Sequence, residues 1–407
     1  MQAVSTSAAP AATGLRRVLV VLCATEITSW GILFYAFPVL LGAITTDTGW
    51  SPTALTAVFS AGQLLTAATG ILVGRRLDRH GPRLVMTAGS VLAVTALLIV
   101  ATAATLTVFL LGWALAGIAM GAVLYPPAFA ALTRWYGPDR VKALTVLTLA
   151  GGLASTVFAP LTAALVSRMD WRATYLVLAA ILAVVTVPGH WFGLRLPWPD
   201  RPEPDTQLVP RAAPGAIARS RTFLALAVAL SVTGFASFAV VVTLVPLMTE
   251  RGISTTTAAI ALGLGGVGQV ASRIGYSAFA ARTSVRTRTT IILAAIAATT
   301  TLLGIFTTAA ALTIAAVLSG MARGVFTLLQ ATAITDRWGT THYGQLTGLL
   351  SAPMTIALAS APFAATALAS GLGGYPTTFI LLGIAAAAAA ALSLTTIPTH
   401  APEEQHS

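Results

Sequence analysis

Long apolar runs separated by short polar or turn-forming breaks constrain this chain more than any other feature. Twelve candidate spans can be read, six in the first half at about 18–44, 52–73, 84–104, 107–133, 141–167 and 172–195. Six more follow at about 222–248, 254–281, 289–308, 311–334, 342–369 and 375–397. A helix that crosses a bilayer needs roughly 20 mostly apolar residues, and each run is long enough. Composition agrees: 56% of the 407 residues are hydrophobic, 9% are charged, and the mean hydropathy is +0.85. Soluble domains hold about 25% charged residues. The expected fold is an all-α membrane protein of twelve transmembrane helices.

The net charge of +11 could suggest a nucleic-acid partner, but the charges sit in short clusters between apolar runs. Topology accounts for that placement, so the expected partner is the lipid bilayer and not nucleic acid. Arg16-Arg17 before an apolar run imitates an export signal. The run from Val18 to about Ile44 far exceeds a signal core, so it reads as a retained first helix. The single cysteine, Cys23, excludes an intrachain disulfide. Arginine outnumbers lysine 22 to 1, a bias that points to a GC-rich bacterial genome and hence to an inner membrane.

Between the halves lies PWPDRPEPDTQLVPRAAPG, Pro197 to Gly215, whose six prolines cannot continue a helix. The expected organisation is a first six-helix bundle at 1–195, a cytoplasmic linker at 196–220, a second bundle at 221–398 and a disordered tail at 399–407. With both termini cytoplasmic, eighteen Lys or Arg residues fall on inner segments. Three fall outside: Arg168, Arg172 and Arg251. A one-helix error would mix the two populations.

The halves repeat at an offset near 203 residues. Gly49-Trp-Ser51 corresponds to Gly252-Ile-Ser254, Arg79 and Arg83 to Arg282 and Arg286, and Gly117 and Gly121 to Gly320 and Gly324. Two six-helix repeats joined by a linker are expected of a carrier that rocks one half against the other.

The connection GRRLDRHGPR, Gly74 to Arg83, holds five charged residues in ten. It resembles the signature loop of the major facilitator superfamily, with Gly74, Asp78, Arg79, Gly81 and Arg83 at the recurring positions. A topogenic loop needs Lys or Arg, but not an aspartate between glycines. The resemblance implies a cytoplasmic gate. Gly74 would permit close helix approach, and Asp78 would face the start of helix eleven near Thr341. The second copy has Ala281 where Asp78 would fall, so the latch is asymmetric.

Three ionised side chains lie within spans: Glu26, Arg273 and Arg323. An intramembrane charge costs about 3 kcal/mol on insertion scales and normally faces a cavity or a partner. FYAFP at Phe34–Pro38, GWS at Gly49–Ser51, LDRHGPR and the arginine of ASRIG together resemble the monocarboxylate and oxalate/formate transporter branch. That resemblance implies that Arg273 holds a substrate carboxylate, with Tyr35, Gln63 and Tyr125 at polar cavity positions. A guanidinium forks onto a carboxylate while phenol and amide groups complete its hydrogen bonds. Two departures stand out: Val39 replaces the lysine after YAFP, and Thr341–Ser370 contains no cation. Arg323 is then the candidate second cation. Two arginines less one glutamate leave one positive charge, which suits a monoanion or a protonated dianion. Glu26 is the candidate coupling group, because its ionisation can change as a cavity opens and closes.

The expected function is secondary active transport of a small organic anion by alternating access, coupled to protons or to exchange, in a monomer. The rival is a proton-driven exporter of the same fold. Its glycine-rich helix-five signature is absent around Gly151, Gly152 and Ala159-Pro160. No HExxH, paired catalytic aspartates or GxxxxGK[ST] loop occurs, so neither an enzyme, a metal site nor a cofactor is expected. His190 is read as an interfacial residue.

Overall fold

The computed structural model describes residues 12–137, 140–198, 214–338 and 343–397. Among them there is no strand. The first half runs through α1 (Thr13–Thr48), α2 (Pro52–His80), α3 (Pro82–Ala101), α4 (Leu106–Tyr136), α5 (Lys142–Val166) and α6 (Trp171–Gly193). The second runs through α7 (Arg221–Glu250), α8 (Thr255–Ile274), α9 (Val285–Ile305), α10 (Ala309–Thr332), α11 (Tyr343–Leu372) and α12 (Tyr375–Ser393). Most of the expected linker and the expected tail lie outside the described residues.

Eleven of these helices, all but α8, are long and apolar enough by themselves to cross a membrane. The twelfth falls where the sequence places a span at 254–281, but it stops at Gly275 and resumes as a short turn, Tyr276–Arg282. Three threonines, four glycines, Gln269 and Arg273 dilute its hydropathy. What buries α8 is close packing on α10.

Helix ends follow from local chemistry. Gly49 and Gly252 both adopt a left-handed backbone, with φ of 71° and 77°. Two residues on, Ser51 Oγ accepts the Ala54 N–H at 3.1 Å and Ser254 Oγ accepts the Thr257 N–H at 3.2 Å. The recurring Gly-x-Ser is therefore one device used twice: a stop that only glycine adopts cheaply, then a serine that caps the next helix.

The repeat is also physical. A Cβ on Gly121 of α4 would stand 3.0 Å from both the Thr66 carbonyl and Thr69 of α2. A Cβ on Gly324 of α10 would collide with the Gln269 carbonyl and Ser272 of α8. Each of these three positions is separated from its counterpart by 203 residues. Gly320 likewise meets the Gly265 backbone. Small residues let the backbones approach in both halves, as membrane helices require when lipid offers no hydrophobic gain.

Two compact bodies emerge from the contacts. One comprises the described residues of 1–34, 65–154 and 172–203; the other comprises 35–64, 155–171 and 204–407. Val18, Leu22, Met86, Leu132, Trp135 and Leu147 form a core in the first body. Phe223, Leu226, Leu230, Ile292, Ile296 and Phe326 do so in the second. The bodies are not the sequence repeats, because α1, α2 and α5 are divided along their lengths. The second body takes in the Gly49 end of these helices together with the second repeat. There Phe37 stacks on Phe59 with centroids 4.4 Å apart. Thr53 and Ser370 hydroxyls lie 3.1 Å apart, the Phe363 N–H donates to Ser60 Oγ at 3.1 Å, and Thr156 Oγ1 donates to the Gly263 carbonyl at 2.8 Å.

Candidate functional site

Within the second body, the packing of α8 on α10 sets two polar side chains against each other. Arg323 of α10 follows Gly320 and precedes Gly324, the residues that admit the α8 backbone. Its Nε and one terminal nitrogen both donate to Gln269 Oε1, at 3.2 and 2.9 Å. Tyr35 lies close enough for its phenol to act electrostatically on the guanidinium. The hydrogen-bond partner of Arg323 is thus a neutral amide, and among the described residues no carboxylate pairs with it. Arg273 sits one helical turn past Gln269 on α8 and is half-buried.

Several candidate residues occupy interruptions in their helices. Tyr35 ends a π-helical turn, Gly31–Tyr35, placed just before Pro38. Pro38 cannot donate to the preceding turn, and single π turns recur where a helix carries function. Tyr125 begins the second segment of α4 after Leu124 turns extended, with φ −88° and ψ −168°. Pro126 and Pro127 enforce that break, since neither has an N–H to continue the ladder. Arg273 lies two residues before the stop at Gly275. Gln63 is half-buried on α2 in the second body.

Glu26 and Tyr125 belong to the first body. Tyr125 stacks on Phe129 at 5.0 Å and tilts against Trp30 at 5.2 Å, and Gly151 of α5 leaves room for its hydroxyl. Glu26 is fully buried one turn before Trp30. The structure therefore groups Tyr35, Gln269 and Arg323 in one place, and Trp30 with Tyr125 in another. Gln269 and Trp30 were missed from sequence. Gln269 was findable, because it precedes Arg273 by four residues and so shares its helix face.

The signature loop divides into two kinds of residue. Gly81 takes φ 75° at the start of α3, where a Cβ would stand 3.2 Å from the Trp198 ring. Arg83 Nε donates to the Trp191 carbonyl at 2.9 Å and its guanidinium lies 4.2 Å over that indole. These two residues fasten the α2–α3 connection to the end of α6. Arg79 is exposed. A Cβ on Gly74 would meet no described atom within 4 Å, so no close helix approach is seen there. The side chain of Asp78 and the segment near Thr341 lie outside the described residues.

Three further residues depart from or refine expectation. His190 is fully buried near the end of α6: its Nδ1 lies 2.8 Å from Ser90 Oγ of α3. Arg172 donates to the Ala103 carbonyl at 3.3 Å, and Arg251 donates to the Leu303 carbonyl at 2.8 Å and to that of Gly304. Both of these cations close helix C-termini, which attract positive charge. Burial lowers the Arg251 pKa, opposed by Glu250.

A cavity of about 750 Å³ opens in the second body at the Gly49 end, away from the arginines. Pro38, Thr45, Ser167, Thr249, Glu250 and Tyr375 are among its lining residues. Glu250 is engaged as a cap, accepting the Tyr375 N–H at 2.9 Å.

Comparison with known proteins decides the family. The sequence profile of the Major Facilitator Superfamily matches residues 21–311 and 224–407. The chain belongs to the major facilitator superfamily. Members of this superfamily are transporters rather than enzymes, and the chain is accordingly a multi-pass membrane protein. Human monocarboxylate transporter 11 is 30% identical over 221 residues, 54% of this chain and 46% of that protein. Its mouse counterpart is 29% identical over 222 residues, 54% of this chain and 49% of that protein. An MFS-type transporter of Gibberella moniliformis is 25% identical over 141 residues, 34% of each chain. The matches thus span half or less of these relatives' own length. Among solved structures, a bacterial homologue of the human lysosomal transporter Spinster superposes with a TM-score of 0.77 at 15% identity. The alignment covers 95% of this chain and 97% of that one. The nucleoside transporter NupG superposes at 0.75 and 13% identity, over 94% of this chain and all of that one. At such identities these structures speak for the fold of this superfamily member, not for its cargo.

Proposed function

We propose that this transporter moves a small organic monoanion, a carboxylate in the first instance, by alternating access. One observation carries the reading: Arg323 is an intramembrane cation whose hydrogen-bond partner is the neutral Gln269 amide. Burying a guanidinium without a carboxylate is costly, and an anionic cargo offsets that cost when bound. Both bonds of Arg323 to Gln269 use the Nε and one terminal nitrogen, so the other terminal nitrogen stays available to a carboxylate. Tyr35 can donate its phenol proton to the same anion, and Arg273 lies one turn away on the Gln269 face. The partial likeness to monocarboxylate transporter 11 points the same way. In this reading Gln63 and Tyr125 border the path, Asp78 latches the cytoplasmic end, both termini are cytoplasmic, and the protein resides in a bacterial plasma membrane.

The test is a thermal-shift screen of purified protein against small mono- and dicarboxylates, repeated with Arg323→Gln and Arg273→Ala, followed by uptake into proteoliposomes. A monocarboxylate should stabilise the parent protein, and Arg323→Gln should abolish the shift. Equal stabilisation of parent and Arg323→Gln would remove the basis of the proposal. A shift obtained only with lipophilic cations would instead favour an exporter of the same fold.

A further inference from the structure

We infer that Glu26 is a proton-binding site of the carrier, loaded in the state described here. The inference rests on the transporter reading but on different residues from those that carry the anion. Glu26 lies on α1 in the first body and is fully buried. Both of its carboxylate oxygens lack a hydrogen-bond partner among the described residues. Two more orphans share that turn: Ser29 Oγ, three residues on, and Trp30 Nε1, four residues on. The Trp30 indole is oriented so that it acts on the carboxyl, yet the pair falls short of hydrogen-bond geometry. By contrast, the neighbouring hydroxyls are satisfied by their own helix, Thr25 on the Leu22 carbonyl and Thr28 on the Ala24 carbonyl. In this part of α1 the unpartnered polar atoms therefore fall together in one turn, and Glu26 is the carboxyl among them.

Charge decides what such a site can hold. An ionised carboxylate buried without a cation or a well-formed hydrogen bond is among the least favourable arrangements in a protein interior. A carboxylic acid at the same place has no charge to compensate. Among the described residues, the titratable groups near it supply no cation. Cys23 lies near it on α1. Tyr125 of α4 faces Trp30. On α6, Gly189 packs against Thr25, but the adjacent His190 turns to Ser90 of α3. The ligand fitting these facts is a proton, taken by one oxygen from water and returned to water when the surroundings of α1 open. The π turn at Gly31–Tyr35 begins immediately after Trp30, so a rearrangement there would alter the setting of the same carboxyl. Glu26 thus couples a proton to a cargo bound elsewhere.

Two measurements test this, and one needs no cargo. Infrared difference spectra of the purified protein across a pH step should show a protonated-carboxyl band that Glu26→Gln lacks and Glu26→Asp retains at a shifted position. In proteoliposomes, Glu26→Gln should keep anion exchange within about twofold of the parent while losing accumulation driven by a pH gradient. An unchanged infrared band in Glu26→Gln, or full gradient-driven accumulation by that variant, would overturn the inference. Absence of carboxylate movement by the parent protein would instead count against the anion reading and leave the infrared result to decide for Glu26.

Discussion

Arg323, half-buried, and Arg337, buried, show how differently two arginines can be used. Arg337, outside the spans and 5% exposed, donates to the Thr396 and Ala333 carbonyls and to the Thr289 hydroxyl. Beside it Arg288 pairs with Asp336. Every direction of the Arg337 fork is taken, so its role is to tie α9 and α12 to the end of α10. Arg337→Met leaves several buried acceptors empty and should cost about 2–4 kcal/mol, read as a lower unfolding temperature. Burial lowers the Arg337 pKa to about 10, with Asp336 opposing and Arg288 adding. The folded state then releases this proton before the unfolded chain does, so the group's contribution to stability rises with pH only above about pH 10. The stability gap between parent and Arg337→Met should accordingly be constant from about pH 6 to about pH 8. Arg323, in contrast, meets a single amide oxygen. Arg323→Gln should leave stability near that of the parent and lower monocarboxylate uptake about 10- to 100-fold, the loss of one or two charge-assisted hydrogen bonds.

At the scale of the element, glycines and prolines place the functional side chains. Gly320 and Gly324 bring α10 onto α8 until Arg323 meets Gln269. Gly324→Val would drive a side chain into the Gln269 carbonyl and Ser272. Overpacking of this kind costs about 1–3 kcal/mol, and the larger effect should be on uptake, because the Arg323–Gln269 register would shift. The matching change at Gly121 meets Thr66 and Thr69 at 3.0 Å and should lower stability without that specific loss. Comparing melting temperature with uptake for the two variants checks the asymmetry. Gly81→Ala belongs here too: a positive φ and the Trp198 ring should together cost about 1–2 kcal/mol. The repeat, with its recurring Gly-x-Ser, was read from the sequence; the break at Tyr125-Pro126-Pro127 was not, because the apolar run at about 107–133 continues through it. Gln269 was passed over because an isolated glutamine gives no signal until a neighbouring helix shows what it faces. The partner of His190 was hidden for the same reason, since Ser90 lies 100 residues away in sequence.

On the scale of the whole molecule, the second body joins the Gly49 ends of α1, α2 and α5 to the second repeat. Thr53 with Ser370, and Ser60 with the Phe363 amide, make that seal. Hydroxyl oxygens 3.1 Å apart set the Thr53 and Ser370 side chains against each other, which makes this pair the one to cross-link. Thr53→Cys with Ser370→Cys, in a Cys23→Ser background, should cross-link under mild oxidation and arrest transport, and reductant should restore it. Cross-linking that leaves transport unaffected would show that this contact need not open during the cycle.

Sequence alone yielded the order of the helices and the doubling of a six-helix unit, and it picked out Glu26, Arg273 and Arg323 as charges within apolar runs, because each depends on hydropathy and spacing along the chain. It could not say which charges are compensated. That depends on which side chain from a distant helix arrives within about 3 Å, and here helix packing delivered an amide to Arg323 and, among the described residues, no well-formed hydrogen bond to Glu26. Nor could it show that the compact bodies cut across the repeats, since one helix can pack its two ends against different neighbours without any change in its sequence pattern.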